Sequence, residues 1–206
     1  MKGARPFTLE EIEKIKEYYE NYIGSDKDQT FDIGTRNWAL IMFGMYSGFR
    51  IAEILSIDVK DVVQNERIVD EVYLERKNTK NKVEGRTGVV NIQCKKILEK
   101  HINHYGLVDK MKEDPNTPLF ISNKGGRLMT RQAINIIYDL SKTLGFNGKL
   151  STHTLRKTFS KYAYELLDRN ILDLQKALGH RSLNSTMSYI SFDKPRVDIA
   201  LAKLNY

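Results

Sequence analysis

Ser47-Gly48-Phe49-Arg50-Ile51-Ala52-Glu53-Ile54-Leu55 is the stretch on which the architecture turns. Serine and glycine close one helical pattern, and a second begins at once, with Ile51, Ile54 and Leu55 on its inward face. Arg50 therefore sits at a helix junction. Immediately upstream, residues 36–46 are apolar enough to predict a buried helix, preceded by a polar loop over residues 24–32. Further back, Thr8 and Glu11 form a T-x-x-E capping box ahead of Leu9, Ile12, Ile15, Tyr19 and Ile23. That three-to-four spacing predicts an amphipathic helix opening near residue 8.

Downstream of the junction the period changes. Ile68, Val72, Leu74, Val83, Val89, Val90 and Ile92 suit extended strands around a polar turn, so a small antiparallel sheet is expected over residues 67–92. Helical patterns return over residues 94–105, 131–144 with Thr130 as the candidate cap, 154–167, 171–178 and 183–190. Residues 109–118 and 123–126 read as loops too short to link domains. The expected fold is mainly α (α+β), a helical bundle with a small antiparallel sheet or hairpin. Residues 1–192 are expected to form one domain and residues 193–206 a C-terminal tail.

Composition narrows the function. Among 206 residues, 33 Lys and Arg outweigh 26 Asp and Glu, for a formal charge of +7. A chain that is 41% hydrophobic and 29% charged can bury a continuous core, which excludes disorder and collagen-like repeats. No apolar run approaches the roughly 20 residues of a bilayer-spanning helix, and no hydrophobic signal core follows residues 1–6, so a cytoplasmic protein without membrane contact is expected. Cys94 is the only cysteine and supports neither an intramolecular disulfide nor a cysteine-based zinc site. H-E-x-x-H and P-loop motifs are absent, and no metal or other cofactor is expected. The excess positive charge favours a polyanionic partner.

The densest polar cluster is Ser151-Thr152-His153-Thr154-Leu155-Arg156, followed by Leu178-Gly179-His180-Arg181-Ser182 and then Tyr189. If a helix begins near Ser151, His153 and Arg156 share the face of its first turn, where free backbone N–H groups favour an anion such as phosphate. Taken singly, each residue has a plain structural reading. Arg50 is a helix-end cation beside Glu53, His180 caps the helix ending at Gly179, and Tyr189 is one of 11 tyrosines.

In combination, S-G-F-R-I-A-E-I-L, a Lys-rich hairpin, H-T-L-R, L-G-H and a tyrosine nine residues beyond that histidine resemble the tyrosine recombinase, or phage integrase, family over about residues 5 to 195. The resemblance implies a tyrosine recombinase-like catalytic domain acting on double-stranded DNA. Arg50 and Arg156 match the phosphate-binding arginines, His153 the residue between them in space, and Tyr189 the nucleophile. His180 matches a position supporting the phosphate, and Glu53 an acidic position that holds the site together. The family's catalytic lysine lies in the hairpin turn; Lys77 is the first candidate because it follows the strand ending near Arg76, and Lys80 is the alternative. Arg76, Lys80, Lys82 and Arg86 are expected to make that hairpin a DNA-backbone-contacting arm. Lys124, Arg127, Arg131, Gln132 and Asn135 resemble the family's DNA-facing helix start.

The chemistry suits these residue types. Displacement at a phosphodiester adds negative charge to the nonbridging oxygens, and a guanidinium fork meets two oxygens where a lysine offers a point charge. A tyrosine with an ordinary pKa of about 10 needs cations and a base, for which His153 is the candidate, to lose its proton during attack. The resemblance further implies a homotetramer on two duplexes, a monomer when free, an accessory DNA-bending protein and association with the nucleoid. Only seven residues precede the first helix, so the family's N-terminal core-binding domain is expected to be absent, whether the protein is naturally short or a piece of a longer integrase. Val197, Ile199, Leu201 and Leu204 in the tail are available to dock on a neighbouring protomer or on their own domain. A noncatalytic DNA-binding module of the same fold and a type IB topoisomerase-like enzyme are the competing readings.

Overall fold

The computed structural model describes residues 3–25, 33–75 and 85–190. Helix α1 (Leu9–Ser25) opens on the expected capping box: Thr8 Oγ1 accepts from the Glu11 amide at 3.1 Å, and Glu11 Oε2 accepts from the Thr8 amide at 2.9 Å. It lays Ile15 and Tyr19 against α2 (Ile33–Ser47), which is buried on nearly every face and forms the axis of the fold. Such a helix has no solvent side to make polar, which is why its sequence from Trp38 to Met45 is apolar. After α2 come α3 (Ile51–Ser56) and the single turn α4 (Val59–Val62), and the chain then enters β1 (Val63–Gln64).

The expected sheet is present but divided. β1 pairs antiparallel with β2 (Arg67–Ile68) across a turn whose residues Asn65 and Glu66 both have positive φ. β3 (Glu71–Leu74) pairs with β4 (Arg86–Val89), in a register that sets Leu74 opposite Arg86. Ile92 is not a strand residue: Asn91 caps α5 (Ile92–His104) by accepting from the Cys94 amide at 2.9 Å. The expected loop over residues 109–118 is also half wrong, because α6 (Leu107–Glu113) fills its first part. α6 is mostly charged and buries only Leu107, so periodicity gave little sign of it.

The remaining helices are α7 (Thr130–Thr143), α8 (Thr152–Leu166), α9 (Ile171–Leu178) and α10 (Leu183–Met187). Thr130 is the first residue of α7 rather than its cap; the Met129 amide is satisfied at 2.8 Å by the Gln132 side chain three residues on. α2 packs most extensively on α5 and α8, around Phe43, Phe49, Phe120 and Leu98. The N-terminal strand of chain ahead of α1 is strapped beneath α8. Phe7 is buried against Phe146, its amide donates to Thr158 Oγ1 at 2.9 Å, and Arg5 donates to the Asn147 carbonyl while pairing with Glu11. No helix among the described residues is long and apolar enough to cross a membrane.

Candidate active site

α8 carries two of the expected site residues on its first turn. Ser151 is the cap: its hydroxyl accepts from the His153 amide at 3.3 Å and its own amide donates to Thr154 Oγ1 at 3.0 Å. His153 is thereby exposed at the helix mouth, whereas Arg156, three residues on, points inward and is 1% exposed. Arg50 meets them from the α2–α3 junction, and His180 and Tyr189 come from the far side, beyond α9 and α10. Together Arg50, Thr152, His153, Arg156, His180 and Tyr189 line one open cavity of about 390 Å³.

Two features bend the chain into that arrangement. Gly48 has φ +63°, and a Cβ there would lie 2.4 Å from Phe159, so only glycine fits between α2 and α8. Gly179, at φ +61°, ends α9 in the left-handed conformation and turns His180 back toward Arg156.

Arg156 is held from three sides. Nη1 donates to the Gly48 carbonyl, and Nη2 donates to the Leu178 carbonyl at 2.7 Å and to His180 Nε2 at 2.7 Å. Since a guanidinium only donates, His180 Nε2 is the acceptor and Nδ1 carries the proton, which it gives to Thr186 Oγ1 at 3.0 Å. Burial, then the charges of Arg156, Arg50 and Arg86, pull the His180 pKa down to about 4, so the ring is neutral at pH 7. Burial and the nearby Arg86 and Arg50 likewise pull Arg156 down to about 9. Its Nε is buried without a hydrogen-bond partner among the described residues.

Glu53 is the counter-ion. It is 1% exposed; Oε1 accepts from Arg50 Nη1 at 2.9 Å, and Oε2 accepts from the Arg50 amide and from Arg86 Nη2, each at 2.7 Å. Two guanidiniums thus bond one carboxylate while Arg156 stands nearby without bonding it, leaving a positive surplus at the cavity. Tyr189 stands over that surplus, its ring 5.3 Å from the His180 ring and 5.6 Å from Arg156 Cζ. Lys157, which the sequence reading passed over, has its Nζ 6.0 Å from the same ring.

Arg86 does not project from the hairpin as an exposed arm residue. Its side chain is 10% exposed and lies inside the fold, with Cζ 4.4 Å above the Phe49 ring. Arg127 is half-buried and already engaged: it donates to Leu55 O at 2.7 Å, Ile57 O at 3.2 Å and Asp58 Oδ1 at 2.5 Å, which ties the approach to α7 onto the end of α3. Gln132 is exposed, but its oxygen is committed to the α7 cap. Lys124, in the turn ahead of α7, and Arg131 and Asn135, in its first two turns, are exposed. Arg76, Lys77, Lys80, Lys82 and the tail over residues 193–206 lie outside the described residues. The sequence reading also missed Thr186 and the Gly48 carbonyl; a glycine of positive φ beside Phe49 is the only trace of the latter in the sequence. Among the described residues no three His, Cys, Asp or Glu side chains group as metal ligands.

An α-rich domain that gathers two arginines, two histidines and a tyrosine around one open cavity belongs to a recognisable class. The model of the phage integrase family matches residues 6–196. The chain is 32% identical over 188 residues to "Probable integrase/recombinase YoeC" of Bacillus subtilis, covering 91% of this chain and 88% of that one. It is 29% identical over 160 residues to a tyrosine recombinase XerC of Thermodesulfovibrio yellowstonii, 77% of this chain but 50% of that protein. Among solved structures, XerA recombinase superposes with a TM-score of 0.71 at 22% identity, covering 99% of this chain and 67% of that one. XerH bound to palindromic difH in a post-cleavage complex gives 0.72 at 23%, covering 96% and 52%. The chain belongs to the phage integrase family, the tyrosine recombinases. It spans about half the length of the XerC and XerH proteins it resembles.

Proposed function

We propose that the chain catalyses site-specific cleavage and rejoining of double-stranded DNA through Tyr189. The observation that carries this reading is the convergence of Arg50, His153, Arg156, His180 and Tyr189 on one cavity with surplus positive charge. Arg50 and Arg156 hold the scissile phosphate, whose negative charge offsets the surplus that Glu53 leaves. His153, at the open mouth, takes the phenolic proton as Tyr189 Oη attacks phosphorus. The P–O5′ bond breaks, a 3′-phosphotyrosyl bond forms, and the departing 5′ oxygen takes a proton from Lys77 or Lys80, a step typically worth about 10² to 10⁴ in rate. Because one phosphodiester replaces another, a 5′-hydroxyl from a second strand reverses the sequence without ATP. Exchange proceeds in a homotetramer on two duplexes, with Lys124, Arg131 and Asn135 positioning the DNA.

The test uses duplex DNA nicked beside the crossover, so that the released strand diffuses away and covalent adduct accumulates. Wild type is expected to form adduct, and Tyr189→Phe to form none while binding the same DNA equally well. Wild type that binds without forming adduct refutes the enzymatic reading in favour of a noncatalytic module; adduct in Tyr189→Phe refutes the nucleophile. Exchange between two duplexes separates a recombinase from a topoisomerase-like enzyme, which only relaxes supercoils.

A further inference from the structure

Arg86 lies behind the pocket wall rather than in it, and every group it meets belongs to another part of the site. Nη2 donates to Glu53 Oε2 at 2.7 Å, and longer contacts reach Gly48 O at 3.5 Å and Ala177 O at 3.4 Å. Gly48 O is also the acceptor for Arg156 Nη1, and Ala177 adjoins Leu178, whose carbonyl takes Arg156 Nη2. Two arginines thus run side by side between the α2–α3 junction and the end of α9, one facing the cavity and one behind it.

The surroundings are shaped to hold Arg86. Its guanidinium lies on Phe49, and a Cβ at Gly88 would fall 2.3 Å from that ring. A Cβ at Gly179 would fall 2.7 Å from Arg86 Cδ. Side chains at either glycine would therefore displace the stacked pair.

We propose that Arg86 is a positioning residue for DNA cleavage, which fixes the Arg50 guanidinium toward the cavity by sharing the Glu53 carboxylate with it. The inference rests on the strand-cleavage reading of the same site. Glu53 touches Arg50 twice, at the amide and at Nη1. Without a second cation on Oε2 the carboxylate keeps only its two bonds to Arg50 and its whole negative charge offsets that guanidinium. With Arg86 in place the Arg50–Glu53–Arg86 group keeps one net positive charge, and the Arg50 fork stays aimed at phosphate. Arg86 also begins β4, opposite Leu74, so the same bond anchors the strand by which the chain returns from residues 76–84 to the site.

The experiment compares single-turnover adduct formation on nicked DNA with equilibrium affinity for uncleaved DNA, in wild type, Arg86→Lys, Arg86→Gln, Glu53→Gln and the Glu53→Gln/Arg86→Gln double variant. Arg86→Gln should cut the cleavage rate by about 10²-fold, the scale of a misplaced catalytic group, with affinity and its salt dependence unchanged. Arg86→Lys, which keeps the charge, should recover most of that rate. In the Glu53→Gln background the Arg86 effect should largely vanish, because it acts through that carboxylate. The proposal is overturned if Arg86→Gln cleaves as wild type does, if affinity and salt slope fall with the rate as for a phosphate contact, or if the two substitutions combine additively. Should Arg86→Gln alone fail to fold, the double variant, which removes both buried charges, and Arg86→Lys carry the comparison: a double variant slower than Glu53→Gln by the full 10²-fold overturns it. Wild type without adduct overturns the strand-cleavage reading itself, and this proposal with it.

Discussion

Replacing Glu53 by Gln keeps the side-chain shape and removes the charge on which the site is built. The carboxylate now accepts three bonds, from the Arg50 amide at 2.7 Å, Arg50 Nη1 at 2.9 Å and Arg86 Nη2 at 2.7 Å. A glutamine offers one acceptor oxygen and turns an amide donor against a guanidinium donor. Arg86, 10% exposed, loses its only carboxylate partner among the described residues. Breaking such a buried pair from one side costs about 3–5 kcal/mol, against a total stability of about 5–15 kcal/mol. At about 2–4 °C per kcal/mol for a chain of this size, the midpoint should fall by roughly 6–20 °C. Urea and thermal unfolding followed by circular dichroism at pH 7 measure it. Burial by itself pushes the Glu53 carboxyl up, but Arg86, the Arg50 amide and the Arg50 guanidinium together outweigh it and hold the group below its ordinary 4.5. The stabilisation is therefore complete above pH 4.5 and is lost as pH falls through the lower native value, so wild type and variant should converge in acid. A variant within about 1 kcal/mol of wild type at pH 7, or a gap that persists unchanged in acid, refutes the reasoning.

Gly48→Ala meets both a left-handed backbone and the Phe159 ring, and should lose at least about 2 kcal/mol in urea unfolding while slowing cleavage, since the Gly48 carbonyl holds Arg156; an alanine variant of native stability and rate contradicts the packing. Burial brings His101 to a pKa of about 4, matching His180, and an ordinary histidine at 6.5 in the unfolded chain takes up protons that the native one refuses. Stability is thus whole above pH 6.5 and falls toward pH 4 with a slope of up to about 1.4 kcal/mol per pH unit for each histidine, which urea midpoints across that range detect and a flat profile denies. If six to ten phosphates are neutralised, DNA affinity should drop by roughly 10³ to 10⁵ between 50 and 200 mM salt; a salt-independent affinity rules out a backbone-contacting surface.

What could be read before the structure was known follows from the range of the forces involved. The capping box at Thr8 and the helix start at Ser151 depend on neighbours three residues apart, and both were legible. So was the gathering of Arg50, His153, Arg156, His180 and Tyr189 on one cavity, because the order of their motifs survives in the chain even where the distance between them in space does not. Arg86 was misassigned through its nearness in sequence to the lysines of the hairpin. Its actual partners, Glu53 and Ala177, are 33 and 91 residues away. The two flanking glycines, Gly85 and Gly88, were the available hint that something large packs there. The bonds of Arg127 to Leu55 O and Ile57 O were equally unreadable, since carbonyls at the end of a helix leave no mark in composition. α6 was lost because a seven-residue helix with one buried side chain has almost no period to detect.

The strap ahead of α1 has a practical side. Through Arg5, Phe7 and their bonds to Asn147 and Thr158, the first described residues are tied to the underside of the helix that presents His153 and Arg156. A purification handle, a fluorophore or a surface tether attached at this end therefore joins the chain beside the contacts that seat α8. A generous flexible spacer at that end keeps the load of a tether off those contacts.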